Sequence, residues 1–486
     1  MPKDIVSRRS RGLSRLLTGI STGAASLMLM ALAPEANAQA VNGDFTAQFG
    51  IGGVVRDSVT RTDTVTINAS EALLDWTATD AGGVFLPDGA TLAFAGQQPY
   101  TVLNRVTSSA TTGALSIAGT VSSDSGGRVW FYNPGGWVIG ETGVFNVGSL
   151  VLTSLPITVD PDSDPGPRLL GEQNEIRFGQ APDPRSSVII ASGARISATQ
   201  AASSYVAVVA PKVVQAGLVT VRGSTAYVAA EAATLTINSG LFDIVVDRGS
   251  DDAVGVSHTG ATTGPAGVTG DANRRIYVVA VPKNQAMTAV VAGSLGYTAA
   301  TSVSERDGSI ILSAGQNVSG NQILADSAGT TNASLAINGL AASNTVTGQA
   351  SGSISVDAAA ANSTFAGNVD LAARGDIAAT VDNEHLISVG GSLGLRSANG
   401  ATAGSVTLGA SRGSTIAVGG AVSLESEAIG AIQTDPDNGD ALLAGSRGEN
   451  ATSGNVALTI SDSNFSASGL SLRSYATSGV GELSNG

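Results

Sequence analysis

The sequence predicts an all-β chain wound as a right-handed parallel β-helix, a solenoid with extra-helical loops, preceded by a signal peptide. Three observations predict it. From residue 41 onward the chain consists of four- to six-residue runs of Val, Ile, Leu, Ala and Thr broken by Gly, Asn, Asp and Ser, which read as short strands. No window sustains a 3.6-residue apolar period between helix caps. A degenerate glycine phrase also recurs, as Gly308-Ser-Ile-Ile-Leu312, Gly352-Ser-Ile-Ser-Val356, Gly367-Asn-Val-Asp-Leu371, Gly391-Ser-Leu-Gly-Leu395, Gly404-Ser-Val-Thr-Leu408, Gly420-Ala-Val-Ser-Leu424 and Gly454-Asn-Val-Ala-Leu458. A second series places Gly193, Gly217 and Gly240 before extended runs. A period in the low twenties suits coils stacked one on the next, with Gly supplying positive φ at the corners. At roughly 22 residues per coil and about 4.8 Å per coil, the chain beyond the signal would make about 20 coils and a rod on the order of 90 Å long. Antiparallel sandwiches would show more hairpin signals than Asn399-Gly400 and a handful of others.

Composition agrees with a narrow interior. The 486 residues include 62 Gly and 42% hydrophobic residues, but only 4% aromatic and 13% charged residues. Sheets about 10 Å apart accept small aliphatic side chains more readily than rings. With no Cys and two His, the chain has no disulfide framework and no Cys/His zinc site. Lys3, Lys212 and Lys283 each follow a Pro, so no Walker-type phosphate loop is present.

Residues 1–38 have the three zones of an export signal: the basic residues Lys3, Arg8, Arg9, Arg11 and Arg15, an apolar stretch from Leu16 to Ala33, and the small-x-small site Ala36-Asn37-Ala38. Its removal takes five basic and two acidic residues from a chain of net charge −14, leaving a more acidic mature chain. Such a chain without a basic stripe is not built to bind nucleic acid through phosphates. Residues 156–185 hold six of the fifteen Pro and read as an excursion loop, and residues 247–275 as a second; both are expected to be exposed and mobile. Residues 186–486 are the remaining β-helical repeats, expected to be truncated or partner-covered at the C-terminal end because solenoids need capped ends.

The most specific stretch is residues 100–154. It contains Asn104-Arg105-Val106, Gly113, Gly119-Thr-Val, Asn133-Pro134-Gly135-Gly136-Trp-Val-Ile, and Gly143-Val-Phe-Asn-Val-Gly-Ser-Leu-Val-Leu-Thr-Ser154. Asn-Pro-Gly-Gly suits a type II turn between strands, with Pro134 fixing φ and Gly135 supplying the positive φ. Taken alone such a turn carries no function. The ordered series resembles the secretion domain, with its haemagglutination activity signature, of the filamentous haemagglutinin-like exoproteins of two-partner secretion, over residues 39–155 and more weakly to 231. The family has Asn-Pro-Asn-Gly where this chain has Asn133-Pro134-Gly135-Gly136, and a second family signature, Asn-Pro-Asn-Leu, has no counterpart. The resemblance implies a secreted or cell-surface adhesin or aggregation factor of a Gram-negative bacterium. Its N-terminal domain would be recognised in the periplasm by an outer-membrane β-barrel transporter with periplasmic docking domains, through Asn104, Arg105, Asn133, Pro134, Gly135 and Gly136. The passenger would then meet a host or neighbouring cell surface. A chain without Cys cannot close a disulfide before threading a pore, which agrees.

Other chemistries fit less well. A carbohydrate-active β-helix enzyme, lyase or hydrolase, is the alternative; it needs carboxylates on an exposed sheet. The acidic clusters Asp160, Asp162, Asp164 and Asp435, Asp437, Asp440 sit in Pro/Gly-rich turns. Their alternating oxygens could hold Ca²⁺, though neither completes a twelve-residue loop ending in Glu; no other cofactor is expected, and the chain is read as a non-enzyme. Gly409-Ala-Ser411-Arg-Gly413 matches GxSxG, but His258 and His385 both precede it and are expected at surface or turn positions. Arg374-Gly375-Asp376 reads as a corner between strands.

Overall fold

A computed structural model of the chain describes residues 39–486 except 79–82, 108–112, 125, 161–167, 172–173, 202, 239, 266–273, 299–307, 325–331, 431–449 and 478–486. The signal peptide reading at 1–38 therefore lies outside the described residues. The described residues contain no α-helix.

Each turn of the chain lays strands on three faces. The first face is a fourteen-stranded sheet running from Gly43–Phe49 to Gly469–Thr477. Gly43–Phe49 pairs antiparallel with Glu71–Ala78, and every later neighbour is parallel, as in Arg128–Tyr132 between Thr101–Val106 and Ser149–Thr153. The other two faces are ladders, parallel except where Ile51–Asp57 pairs antiparallel with Thr62–Ile67, one running through Gly136–Ile139 and Ser187–Ile190, the other through Val144–Asn146 and Arg195–Ala198. They merge where Met287–Tyr297 and Ala333–Ala342 cross both. This is the expected parallel β-helix, built by neighbour-to-neighbour stacking.

The glycine phrases all open strands, but on two faces. Gly308, Gly367, Gly391 and Gly420 lead into the first face, at Ile310–Ala314, Val369–Ala373, Leu393–Ala398 and Ala421–Ile429, while Gly352, Gly404 and Gly454 lead into the second. Among these seven only Gly308 has a positive φ, at 84°. Close approach explains the others. A Cβ on Gly404 would lie 2.4 Å from the carbonyl carbon of Gly375, and one on Gly454 would lie 2.3 Å from the Gly404 oxygen. Serine hydroxyls tie these stacked corners together. Ser426 Oγ donates to Gly404 O at 2.8 Å and accepts from Gly454 N at 2.8 Å, and Ser397 does the same one coil earlier between Gly375 and Gly404.

Four expectations are corrected. The first face has thirteen parallel strands among the described residues, so the estimate of about 20 coils was too high. The difference lies in residues that leave the stack. Glu175–Phe178, Ala232–Asn238, Leu241–Arg248, Val318–Ser319 and Gln322–Ile323 form a separate antiparallel sheet. Gly240, read as opening a coil strand, opens a strand of this outer sheet instead. The 156–185 segment is therefore not a loose loop: Ile157, Leu169, Leu170, Ile176 and Phe178 are buried with Trp130, Val151 and Tyr205 in a second apolar core outside the solenoid. Nor is 247–275 an excursion throughout, since Val254–His258 and Ala261–Gly264 are regular coil strands. Glu231, 2% exposed at its side chain, clamps the outer sheet to the coils through Arg248 Nε at 2.6 Å and Lys283 Nζ at 3.0 Å.

The interior also differs from the expected ring-poor channel. Trp76, Phe85, Phe131, Trp137 and Phe145 stack edge to face with centroids 5.4 to 6.2 Å apart, filling the first coils. Further along, the interior is mostly aliphatic, with polar groups such as Gln215 and Tyr297 satisfied by backbone oxygens and with a buried imidazole. His258, expected at the surface, is fully buried. Its Nδ1 lies 3.0 Å from Ala292 O and must donate, so Nε2 accepts from Thr262 Oγ1 at 2.9 Å, which in turn accepts from Tyr227 OH at 2.7 Å. Burial without a charged partner holds the imidazole down at about 4.

Candidate functional site

The residues singled out by sequence fall on consecutive coils of the first face. Parallel pairing places Leu74, Asn104, Phe131 and Leu152 in one row and Asp75, Arg105, Tyr132 and Thr153 in the next. Because strand side chains alternate, the first row points into the solenoid and the second away from it.

Asn104 is thus a buried polar group among rings. Its Oδ1 accepts from Trp76 Nε1 at 3.0 Å and its Nδ2 donates to Trp130 O at 3.3 Å. It satisfies an indole donor that the apolar interior could not, and it presents nothing to a partner. Arg105 faces outward with a third of its side chain exposed. It grips Asp75 with Nε at 2.7 Å and Nη2 at 2.9 Å, and Gln48 Nε2 donates to the same carboxylate at 2.9 Å. The Asp75 hydrogen bonds raise the Arg105 guanidinium further above its ordinary value. Burial raises the Tyr132 phenol, while the charge on Arg105 pulls it down.

The Asn133 to Gly136 segment forms its turn, closed by Gly136 N donating to Asn133 O at 2.9 Å. The positive φ, 92°, falls on Gly136 and not on Gly135 as expected for type II. Gly135 is required for another reason: a Cβ there would sit 2.0 Å from Gly113 O of the preceding coil. Asn133 is buried and donates through Nδ2 to Gly136 O at 2.6 Å. Structure therefore brings Asn133, Pro134, Gly135 and Gly136 together as a corner, with Asn104 supporting the interior beside it. Sequence reading missed Asp75, Gln48 and Tyr132. Aligning the coil phrases Leu74-Asp75-Trp76 and Asn104-Arg105-Val106 would have paired the first of these with Arg105.

The other candidates separate. Asp160 is exposed and forms a backbone bridge with Arg168, whereas Asp162, Asp164, Asp435, Asp437 and Asp440 lie outside the described residues. Among the described residues no cluster of three His, Cys, Asp or Glu could hold a metal. Ser411 Oγ donates to Asp382 Oδ1 at 2.9 Å, so the GxSxG match is a corner contact rather than half of a nucleophile–base pair. Arg374-Gly375-Asp376 is a corner as read, with Asp376 Oδ1 accepting from Ser405 N at 2.7 Å.

No family model matches the chain, and no curated protein matches it. Among solved structures it is similar to the HMW1 secretion domain from Haemophilus influenzae, with 14% identity over 88% of this chain and 99% of that chain at a TM-score of 0.45. It is also similar to the filamentous hemagglutinin secretion domain, with 14% identity over 78% of this chain and 98% of that chain at a TM-score of 0.37.

Proposed function

We propose that this chain is an exoprotein exported through a dedicated outer-membrane β-barrel transporter with periplasmic docking domains, and that outside a Gram-negative cell it serves as an adhesin or aggregation factor rather than an enzyme. The observation that carries the reading is how the coils are held. Strands of the three faces pair with the coil before and the coil after, and the 486 residues include no Cys. A chain of this kind can emerge extended from a pore and fold one coil at a time, because each new coil needs only its predecessor as template. Within this reading the ordered motif has two roles. Asn104 and the Asn133 to Gly136 corner shape the first coils, and Arg105, the part-exposed member of the outward row held in place by the buried Asp75, is the group offered to the transporter.

The test is export in a host carrying the chain with or without the candidate transporter. Mature protein should reach the culture medium only when both are present, and Arg105→Glu should reduce that export. Equal accumulation outside cells without the transporter would overturn the proposal.

A further inference from the structure

Three Asn-Gly pairs lie among the described residues, and the fold treats them differently. In this dipeptide the side-chain carboxamide is followed by the least hindered of backbone nitrogens, because Gly carries no side chain and adopts most backbone angles. Asn42 is fixed: its Nδ2 donates to Val84 O at 3.1 Å, and the Gly43 N–H is engaged by Val41 O at 3.0 Å. Asn338 lies within Ala333–Ala342, paired with Ala292 on one side and Asp357 on the other, so the ladder holds its backbone extended. Asn399 is held by neither device. It is the first residue beyond Leu393–Ala398, in an exposed turn closed by Thr402 N donating to Asn399 O at 2.9 Å. Gly400 has a φ of 33°, and a Cβ placed there would meet nothing within 4 Å. Among the described residues neither the Asn399 carboxamide nor the Gly400 N–H has a hydrogen-bond partner.

We propose that Asn399 is a site of spontaneous covalent modification, where the folded chain converts from Asn to aspartate and isoaspartate. The Gly400 nitrogen bonds to Cγ of Asn399, the bond from Cγ to Nδ2 breaks, and the proton given up by the backbone nitrogen leaves with the amide nitrogen as ammonia. The five-membered imide then takes up one water at either carbonyl and opens to Asp or to isoaspartate. No enzyme or cofactor takes part, because nucleophile and electrophile belong to adjacent residues and meet by local rotation. What the fold decides is whether that rotation is free. At Asn42 it must first break two hydrogen bonds, and at Asn338 it must open a strand paired on both sides; at Asn399 it moves a side chain and an exposed turn. The consequence is local and one-way. Either product adds a carboxylate to a chain of net charge −14. Isoaspartate also lengthens the main chain by a methylene beside Gly400 O, which accepts from Ile429 N at 2.6 Å, and Ala401 O, which accepts from Thr452 N at 2.7 Å. The modified corner is therefore looser against the next coil.

This inference does not rest on the export reading, because it is tested on the purified mature chain. Trypsin releases residues 397–412 as a peptide in which Asn399 is the sole side-chain amide. After incubation of the folded chain at mildly alkaline pH, that peptide should convert into two products, each heavier by the difference between carboxyl and amide. Conversion should run at least about tenfold faster than at Asn42 or Asn338 in the same sample, located by fragmentation of their own peptides. In denaturant the rates should converge, since the fold no longer separates the sites. Asn399→Gln, which would have to close a six-membered ring, should leave the peptide unmodified. Hydrogen exchange at Ile429 and Thr452 should quicken on incubation of the parent but not of this variant. An unmodified 397–412 peptide from the folded chain, or Asn42 and Asn338 reacting as fast as Asn399 before denaturation, would each overturn the proposal.

Discussion

The outer face of the fourteen-stranded sheet is two surfaces in one ladder. From Leu73 to Ile311 most outward positions are apolar, including Leu103, Trp130, Val151, Ala207, Val228, Tyr277 and Val279, and these join the antiparallel sheet in a second core, while Asp75 and Arg105 form a polar margin. From Val346 onward the outward positions are polar, charged or small, including Thr347, Gln349, Asp370, Ala372, Arg396, Glu425 and Glu427, and among the described residues no further strand pairs over them. The inward positions hardly change: Val206, Val208, Ile310 and Leu312 in one half and Val369, Leu371, Leu393 and Leu395 in the other all join the same interior. Coiling is therefore set by the inward residues alone. The outward ones decide whether a coil also carries a second core, at roughly 1.5–3 kcal/mol for each large side chain taken from water.

The strongest way to break this comparison is to remove the centre of the cover. Phe242 packs edge to face between Tyr205 and Tyr277, with both centroids at 5.9 Å. Phe242→Ala should destabilise the covered half by about 3–5 kcal/mol. Hydrogen exchange should quicken in Leu241–Arg248 and Glu175–Phe178 while the strands from Val346 onward keep their protection. Equal loss of protection in both halves would show that they unfold as one unit and that the division is only geometric.

A smaller effect should appear with pH, and again in the covered half. His258 is neutral in the fold, with its value held at about 4 against the ordinary 6.5. The unfolded chain therefore takes up the proton first. Stability is full above about pH 6.5, falls as pH drops toward 4, and flattens below it, with a loss of about 3 kcal/mol from this group. Chemical denaturation across that range should show the slope, and His258→Leu should remove its share. Exchange monitored at pH 5 should loosen the coils around Val254–His258 before those beyond Val346; the reverse order would place the acid-sensitive element elsewhere.

Much of this division was written in the sequence in a form that short-strand reading passes over. The covered strands are continuous small or apolar runs buried at every position, such as Val206–Ala210, Thr225–Ala229 and Ile276–Ala280. The bare ones alternate, as Val369–Ala373 does with Asp370 and Ala372 outward. A strand buried on both faces shows no period of two, and that lack of period was the signal for a cover. The solenoid was legible because glycine marks each corner where two coils touch. The outer sheet was not, since Leu241–Arg248 has the same local grammar as a coil strand and only its antiparallel partner distinguishes it. At the candidate site, sequence identified Asn104 and Arg105 as neighbours, but only register shows that one closes the interior and the other faces out. His258 was misread because a lone imidazole carries no mark of its partners, and Thr262 is significant only once a turn brings it beneath the ring.

The smallest effect is predicted on the bare half, and it tests whether charge there does the work of the missing cover. Arg396 reaches Glu425 and Glu427 on the next strand, and Tyr475 OH donates to Glu425 Oε1 at 3.0 Å one strand further. The chain of contacts resembles a clamp, yet the Arg396 side chain is 51% exposed. At that exposure water screens the pair and the side chains lose entropy in holding it, so Arg396→Ala should change stability by no more than about 1 kcal/mol. The difference from the parent should shrink further at about 1 M salt, where the Debye length is near 3 Å. Buried contacts such as those of Phe242 are insensitive to salt in this way, so denaturation at low and high salt separates the two halves by mechanism as well as by size. A salt-independent loss approaching that of Phe242→Ala would mean that the charged row is a second cover made of ion pairs, and the bare half would then be bare in composition only.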